Sequence, residues 1–198
     1  IFRGFLCQGV ATDIDMANCH PTILSYICKQ NSISFMQLNT YIEHREEILK
    51  EFPNREEAKK SFLKSLNDDK LSRLKNKTPF FEAFDKEIKL LQKKIIALPQ
   101  FKEIVEMPSM KKYNLTGSKI NRIMCYYEVQ ILKSAITHLQ TKCGFEVMAP
   151  FFDGCLIYGD HYSNTQILAD LTDVIEKLFP GLNMKWTFKD HDLSIQMP

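Results

Sequence analysis

The sequence predicts an α+β protein in which a small antiparallel sheet is interrupted by a block of helices. Near the start of the chain, an apolar segment ends in acidic residues at Asp15. Residues 32–110 then carry the three- and four-residue apolar spacing of helices. Two apolar runs finally flank Asp153-Gly154, a dipeptide typical of β-hairpins. We therefore expect one sheet built from both ends of the chain, with the helical block inserted between its two parts.

The first half of the chain is expected to be mainly helical. Residues 5–15 are predicted to be extended, and Pro21 suits the first turn of a helix that runs to about Lys29. Asn54 followed by Glu57 has the form of a helix N-cap with an acid three residues later. Apolar stripes and end signals predict the remaining helices over residues 35–52, 54–66, 80–98, 101–106 and 118–142.

The last third of the chain is expected to complete the sheet. Strands are predicted over 145–152 and 155–158, with Asp153-Gly154 as the turn between them. Ser163 with Gln166 repeats the capping pattern and predicts a helix to about Phe179. Two short strands are expected at 184–188 and 193–196.

Composition limits the class of protein. A chain of 198 residues with 44% hydrophobic side chains is long enough to bury a core. The six cysteines are scattered without a CxxC pair, which indicates reduced thiols inside a cell. No apolar run approaches the roughly 20 residues of a membrane span. We therefore predict an intracellular, soluble protein with no membrane partner, and a start at Ile1 suggests a fragment of a longer protein.

Charge is distributed unevenly along the chain. The net charge is only +2, but residues 55–77 carry eight basic side chains against four acidic ones. Such a stripe favours a phosphate partner, and a solvated helix face is the simpler alternative.

Two aspartates are the candidate metal ligands. Asp15 closes the first strand, Asp153 lies at the hairpin, and adjacent strands would bring them together. Nucleotidyl transfer requires carboxylates on rigid backbone, because two Mg²⁺ ions about 3.5 to 4 Å apart must contact the attacking and leaving oxygens. Asp13 is a second candidate on the first strand, and Asp153-Gly154 read alone is simply a tight turn.

The segment from Asp15 to His20-Pro21 resembles motif A of DNA polymerases, in which a catalytic Asp is followed five residues later by a side chain that senses the sugar. The His-Pro form is closer to the Tyr-Pro of family B, while the rest of the chain is more similar to family A. The resemblance implies that His20 packs under the ribose and excludes a 2′-hydroxyl by its bulk.

A second resemblance lies in the basic stripe. Arg55, Lys59, Leu63 and Asn67 follow the four-residue spacing of motif B, a fingers helix of family A. This spacing keeps the side chains on one helical face, so the resemblance implies that Arg55 and Lys59 bind the nucleotide triphosphate. Lys60 competes with Lys59 for that role, because the segment beginning at Lys60 is also similar to the family B form of the motif.

The later part of the chain resembles two further features of these polymerases. Asn121 and Arg122 open a long helix similar to the family A helix that contacts template and primer, with Tyr126 or Tyr127 as a further candidate. Phe152-Asp153-Gly154 resembles motif C, although the usual His before the aspartate is absent.

Together the ordered motifs imply a polymerase palm, an antiparallel sheet backed by helices, with a helical fingers insertion. The predicted palm comprises residues 1–31 and 111–198, and the fingers residues 32–110. The implied function is a divergent DNA polymerase of a transposon or virus, with two Mg²⁺ ions, a DNA primer-template and deoxynucleoside triphosphates, and with primase or helicase domains in the same polypeptide. A single-subunit RNA polymerase and a non-catalytic nucleic-acid-binding module are the alternatives.

Overall fold

The computed structural model describes residues 7–74, 77–108 and 112–190. The predicted α+β class is confirmed, since a four-stranded antiparallel sheet is accompanied by many helices. The strands are β1 (Ala11–Ala17), β2 (Val147–Phe151), β3 (Gly154–Tyr158) and β4 (Lys185–Phe188), and their order across the sheet is β2-β3-β1-β4. The strand predicted at 193–196 lies outside the described residues.

The chain divides into two compact units. Unit 1 comprises residues 1–19 and 127–198, and unit 2 comprises residues 20–126. The division falls in α1 (Cys19–Gln30) and in the long helix α7 (Leu115–Thr141). The described part of unit 1 contains the sheet and α8 (Gln166–Leu178), whose buried residues Ile167, Leu171 and Ile175 recur every four positions.

The secondary structure of unit 2 among its described residues consists of helices joined by loops. Between α1 and α7 it contains α2, α3, α4, α5, a 3-10 turn and α6. Their bounds are Gln37–Glu43, Arg45–Lys50, Arg55–Asn67, Pro79–Ile96, Pro99–Phe101 and Lys102–Glu106. The centre of its core is aromatic, because the ring of Phe62 lies 4.4 Å from Tyr41 and 4.9 Å from both Phe81 and Phe84.

Local signals explain where α4 and α5 begin. The Asn54 side chain accepts hydrogen bonds from the backbone N–H groups of Glu56 and Glu57, as the capping pattern predicts. Thr78 caps α5 through the N–H of Phe81, and Pro79 occupies the first helical position, where its missing N–H is harmless.

A buried polar network attaches the end of α4 to α5. The Asp85 carboxylate, 1% exposed, accepts hydrogen bonds from Ser65 Oγ at 2.6 Å and from the Ser72 N–H at 2.7 Å. Lys89 Nζ lies 3.2 Å from Asp85 Oδ1 and donates to the Ser65 carbonyl. Burial opposes ionisation of Asp85, but these hydrogen bonds and the lysine hold its pKa below the ordinary value.

Several predicted boundaries are wrong. Of the segment predicted to be extended over residues 5–15, the described part forms a strand only from Ala11, because Gly9 lies in a turn with a φ of +70°. The helix predicted over 35–52 is two helices, which meet at His44, where a φ of −117° departs from helical geometry. Both halves can then bury their apolar residues, Tyr41 in α2 and Leu49 in α3.

Two further corrections concern the last third of the chain. The hairpin turn consists of Phe152 and Asp153, whereas Gly154 already belongs to β3 and pairs with Phe151. Ser163 is not the cap of α8, since Thr165 occupies that position and makes no side-chain cap. The Thr165 carbonyl accepts backbone hydrogen bonds from the N–H groups of Leu168 and Ala169.

Candidate metal centre

Asp15 and Asp153 lie on neighbouring parts of the sheet in unit 1. β1 pairs antiparallel with β3, and this register places Asp15 opposite Gly154. The adjacent residue, Asp153, is tied to β1 because its carbonyl accepts a 2.8 Å hydrogen bond from the N–H of Met16. Two residues separated by 138 positions in the sequence are thus brought to the same end of two paired strands.

Gly154 leaves room for the Asp15 side chain. Residues directly opposite in an antiparallel pair project to the same face of the sheet. A Cβ on Gly154 would collide with Asp15 Oδ1 and with the carbonyl oxygen of Ile14. The Asp15 carboxylate therefore occupies the space that any other residue at position 154 would need.

Lys189 supplies a positive charge to this carboxylate. It follows the last residue of β4 and continues the pairing with β1, because its N–H donates to the Asp13 carbonyl at 3.0 Å. Its Nζ lies 2.8 Å from Asp15 Oδ2. An ammonium group thus occupies one side of the Asp15 carboxylate in this structure.

Asp153 is surrounded by negative charge. Burial is the main cause that raises its pKa, and the carboxylates of Asp15 and Glu128 raise it further, while Lys189 opposes them. Glu128 lies on α7 and accepts a 3.7 Å hydrogen bond from the thiol of Cys19. The carboxylates of Asp15 and Glu128 therefore act on that of Asp153 at this end of the sheet.

The geometry favours Asp15 over Asp13 as a ligand. Asp13 is 2% exposed, while the side chain of Asp15 is 16% exposed and reaches solvent. The Asp13 N–H donates to the hydroxyl of Tyr162 at 3.3 Å, so this part of β1 is covered. Of the two aspartates that the sequence left open, Asp15 is the one an external ion could reach.

The negative charge also affects a thiol beneath the site. Burial raises the pKa of Cys155 to about 12, with smaller contributions from the carboxylates of Asp13 and Asp15. Cys155 is fully buried in β3. Its thiol is therefore neutral at physiological pH and is not a metal-binding thiolate.

We expect Asp153→Asn to stabilise the chain at neutral pH when EDTA is present. The pKa of Asp153 is higher in the folded than in the unfolded chain, so protonation of Asp153 stabilises the fold. This stabilisation is fully present only at pH values below the ordinary aspartate pKa. It is lost as the pH rises through the raised pKa, so at pH 7 the ionised, partly buried Asp153 destabilises the folded chain. The amide removes the penalty, for a gain of about 1 kcal/mol in the free energy of unfolding. Thermal melts should show a gain in Tm at pH 7 that shrinks toward pH 4, and a loss of Tm at pH 7 would contradict the prediction.

The predicted triphosphate ligands lie on α4 in unit 2. Arg55 is paired with Glu46 at 2.7 Å and with Glu56 at 3.1 Å, and Lys59 lies 3.0 Å from Glu56. Lys60 is exposed on the same helix. Two of these three side chains therefore already have acidic partners.

The other predicted contact residues have mainly structural surroundings. Arg122 donates to the backbone carbonyls of Met107 at 2.6 Å and Pro108 at 3.1 Å. Asn121 donates to the side chain of Asn67 at 3.0 Å. Tyr126 is half exposed on α7, and His20 lies in the first turn of α1 within unit 2.

Sequence reasoning missed Lys189 and Glu128. Lys189 could have been found from the last strand, because antiparallel pairing with β1 carries its N–H to Asp13. No pattern in the sequence marks Glu128, which is one charged residue among many on α7. Its role depends on how that helix lies against the sheet of unit 1.

Comparison with known proteins gives one informative similarity. No family model matches the chain. The chain is 27% identical over 214 aligned residues to a protein of Sputnik virophage named "Putative helicase V13". The alignment covers 99% of this chain but only 27% of the virophage protein, so the chain spans about a quarter of that relative.

This similarity overturns the predicted function. The sequence motifs predicted a DNA polymerase, with an RNA polymerase as the nearest alternative, whereas the similar virophage protein is named as a putative helicase. The polymerase prediction and its enzyme class are therefore wrong. The prediction of a viral or mobile-element type of protein agrees with the source of the relative. No helix among the described residues has an apolar stretch that could cross a bilayer.

Proposed function

We propose that this chain is a nucleic-acid-binding segment of a helicase-type viral protein, in which Asp15 and Asp153 bind a divalent cation that holds a backbone phosphate. The observation that carries the proposal is the placement of these two aspartates at the same end of β1 and β3. The name of the virophage relative supports the class of protein, because a helicase acts on nucleic acid.

The residues present fit a Mg²⁺ ion. Carboxylate oxygens on a rigid backbone are the ligands this hard cation prefers, and it usually retains positions for water or phosphate. Lys189 Nζ lies 2.8 Å from Asp15 Oδ2, so a bound ion would replace or share this positive partner, and the absence of a side chain at Gly154 lets the Asp15 carboxylate take up its position. When bound, Mg²⁺ would neutralise the carboxylates and bind a phosphate oxygen. That two ions bind, as predicted from the sequence, remains a prediction. Measuring how many ions bind per chain would test it.

Nucleic acid is the phosphate source we favour over a nucleoside triphosphate. Phosphate binding by a helicase motor uses the pattern G-x-x-x-x-G-K-[ST], in which backbone N–H groups and the lysine hold the nucleotide. This chain has glycines at that spacing at positions 4 and 9 and at 154 and 159, but Val10 and Asp160 follow them instead of lysine. We propose that other domains of the same polypeptide bind the nucleotide, since the chain spans 27% of its relative.

The proposal predicts cation-dependent binding of nucleic acid. Fluorescence anisotropy with a labelled single-stranded oligonucleotide should show that Mg²⁺ tightens binding to the purified chain by about 5-fold, or ~1 kcal/mol, relative to EDTA. Asp15→Asn and Asp153→Asn should each lose this increment and retain the cation-independent affinity. Asp173→Asn, which removes an exposed carboxylate on α8, is the matched control and should behave as wild type. An unchanged Mg²⁺ effect in both site variants would refute the proposal.

A further inference from the structure

Phe152 lies at the tip of the β2–β3 hairpin, directly before Asp153, and its side chain is 89% exposed. Exposed apolar side chains are ordinary when scattered, so exposure alone indicates nothing. The preceding residue, Phe151, does the opposite and packs against a buried cluster of Cys7, Ala11 and Leu156. The hairpin therefore anchors one phenylalanine in the protein and holds the other in solvent.

The backbone of Phe152 is strained. Its φ is +39°, in the left-handed region that bulky residues avoid. Among the described residues, the other non-glycine residues with positive φ are Asn18, Ser32, Asn114 and Asn183, all small and polar. The first central position of a two-residue hairpin turn of this kind favours glycine. A phenylalanine at this position carries a steric penalty that a glycine would not.

Backbone strain and side-chain exposure coincide at Phe152, next to a candidate site, and this combination indicates that the ring has a functional role. The turn is fixed on both sides, since Phe151 pairs with Gly154 and the Asp153 carbonyl accepts from Met16. The backbone that carries the ring is therefore fixed one residue before Asp153.

We propose that Phe152 stacks on an unpaired nucleobase of a single strand bound at the Asp15 and Asp153 centre. This inference rests on the proposed function, because it needs a nucleic acid at that centre. Within one nucleotide a base lies close to its backbone phosphate, and Phe152 is the residue adjacent to Asp153, whose carboxylate would hold the cation. Stacking on an aromatic ring tolerates every base, so the contact adds affinity without reading sequence.

Self-association through Phe152 is the rival use of an exposed ring. Two copies docking tip to tip would bring the carboxylates of Asp153 and Asp15 from each copy together, and like charges oppose such contact. A nucleobase is uncharged, and the cation at the carboxylates would receive the phosphate. The surrounding charge therefore favours a nucleobase as the occupant.

Three variants separate a binding role from a structural one. Phe152→Leu removes the aromatic ring, and Phe152→Gly removes the ring and also relieves the backbone strain. Phe152→Trp keeps an aromatic ring at this position. The probe is a labelled oligothymidine with a single 2-aminopurine, whose fluorescence reports stacking. Tyr113→Leu, which removes an exposed ring in unit 2, is the matched control.

We expect the leucine and glycine variants to bind the oligonucleotide about 5- to 100-fold more weakly in Mg²⁺ and to lose the quenching of 2-aminopurine. Phe152→Trp should retain both, and Tyr113→Leu should match wild type. Phe152→Gly should also melt at a higher temperature than wild type, because glycine adopts positive φ freely. A residue with a purely structural role would not combine higher stability with weaker binding.

Wild-type affinity and quenching in the leucine variant would overturn the stacking role. If Asp153→Asn had nevertheless lost its Mg²⁺ increment, the proposed function would stand. Conversely, a wild-type chain whose binding ignores Mg²⁺ but weakens in the leucine variant would refute the cation centre and retain the stacking role. A wild-type chain that binds no oligonucleotide overturns both. Sedimentation that shows a wild-type dimer and a monomeric leucine variant would assign the ring to self-association instead.

Discussion

Gly154→Ala is expected to weaken Mn²⁺ binding by about 10- to 100-fold, the usual effect of disturbing the residues that orient a metal ligand. The added methyl group would collide with Asp15 Oδ1 and the Ile14 carbonyl, so either the carboxylate or the strand must move. Because Ile14 belongs to the paired backbone of β1, the side chain of Asp15 is the part that can yield. The variant should therefore lose the ligand geometry and retain the sheet.

Gly144→Ala is the matched control for this substitution. Gly144 has a φ of +72° and open space around the position of a Cβ, so alanine there strains the backbone without touching a neighbour. It should lower the free energy of unfolding by about 1 kcal/mol and leave the Mn²⁺ affinity unchanged. Isothermal titration of both variants checks the prediction, and wild-type affinity in Gly154→Ala would show that Asp15 does not bind the ion.

Asp85→Ala should lower the free energy of unfolding by about 3–5 kcal/mol, because it leaves a largely buried lysine without its anionic partner and a buried hydroxyl without its acceptor. The carboxylate receives Ser65 Oγ, the Ser72 N–H and the Lys89 ammonium in the interior of unit 2. A loss of this size is a large fraction of the 5–15 kcal/mol that is typical of a folded domain. Urea unfolding followed by circular dichroism at the helical band would measure it.

Glu82 offers a control on the same helix. Its carboxylate pairs with Lys86 at 2.7 Å, but both side chains are exposed, and such pairs contribute little. Glu82→Ala should change the free energy of unfolding by less than about 1 kcal/mol. Equal losses in the two variants would show that burial of the Asp85 network is not what stabilises the end of α4.

Local signals predicted much of the helical unit. Asn54 acts through backbone N–H groups two and three residues away, so its effect is visible in the sequence. Thr78 and Pro79 act in the same local way at the start of α5, although the predicted start of that helix rested on its apolar stripe alone. The break between α2 and α3 at His44 is different, since it follows from how two apolar segments reach one aromatic core. The hairpin turn was shifted by one residue because Gly154 is needed opposite Asp15 on another strand.

The candidate site was predictable only in part. Asp15 and Asp153 were apparent as acids at the ends of apolar segments, and antiparallel pairing brings them together. The contributions of Lys189 and Glu128 depend on the packing of distant elements. The functional prediction failed because each polymerase-like motif consisted of a few common residues at a common spacing. The similarity to a protein named as a putative helicase covers nearly the whole chain and therefore outweighs those motifs.

Titration of the purified chain with Mn²⁺ tests the cation centre most directly, because carboxylate sites that accept Mg²⁺ also accept Mn²⁺. The electron paramagnetic resonance signal of free Mn²⁺ falls as the ion binds, so the titration gives both affinity and stoichiometry. We predict saturable binding by the wild type and by Asp173→Asn, and its loss in Asp15→Asn and in Asp153→Asn. Equal binding by all four proteins, or by none, would contradict a metal centre at these two aspartates.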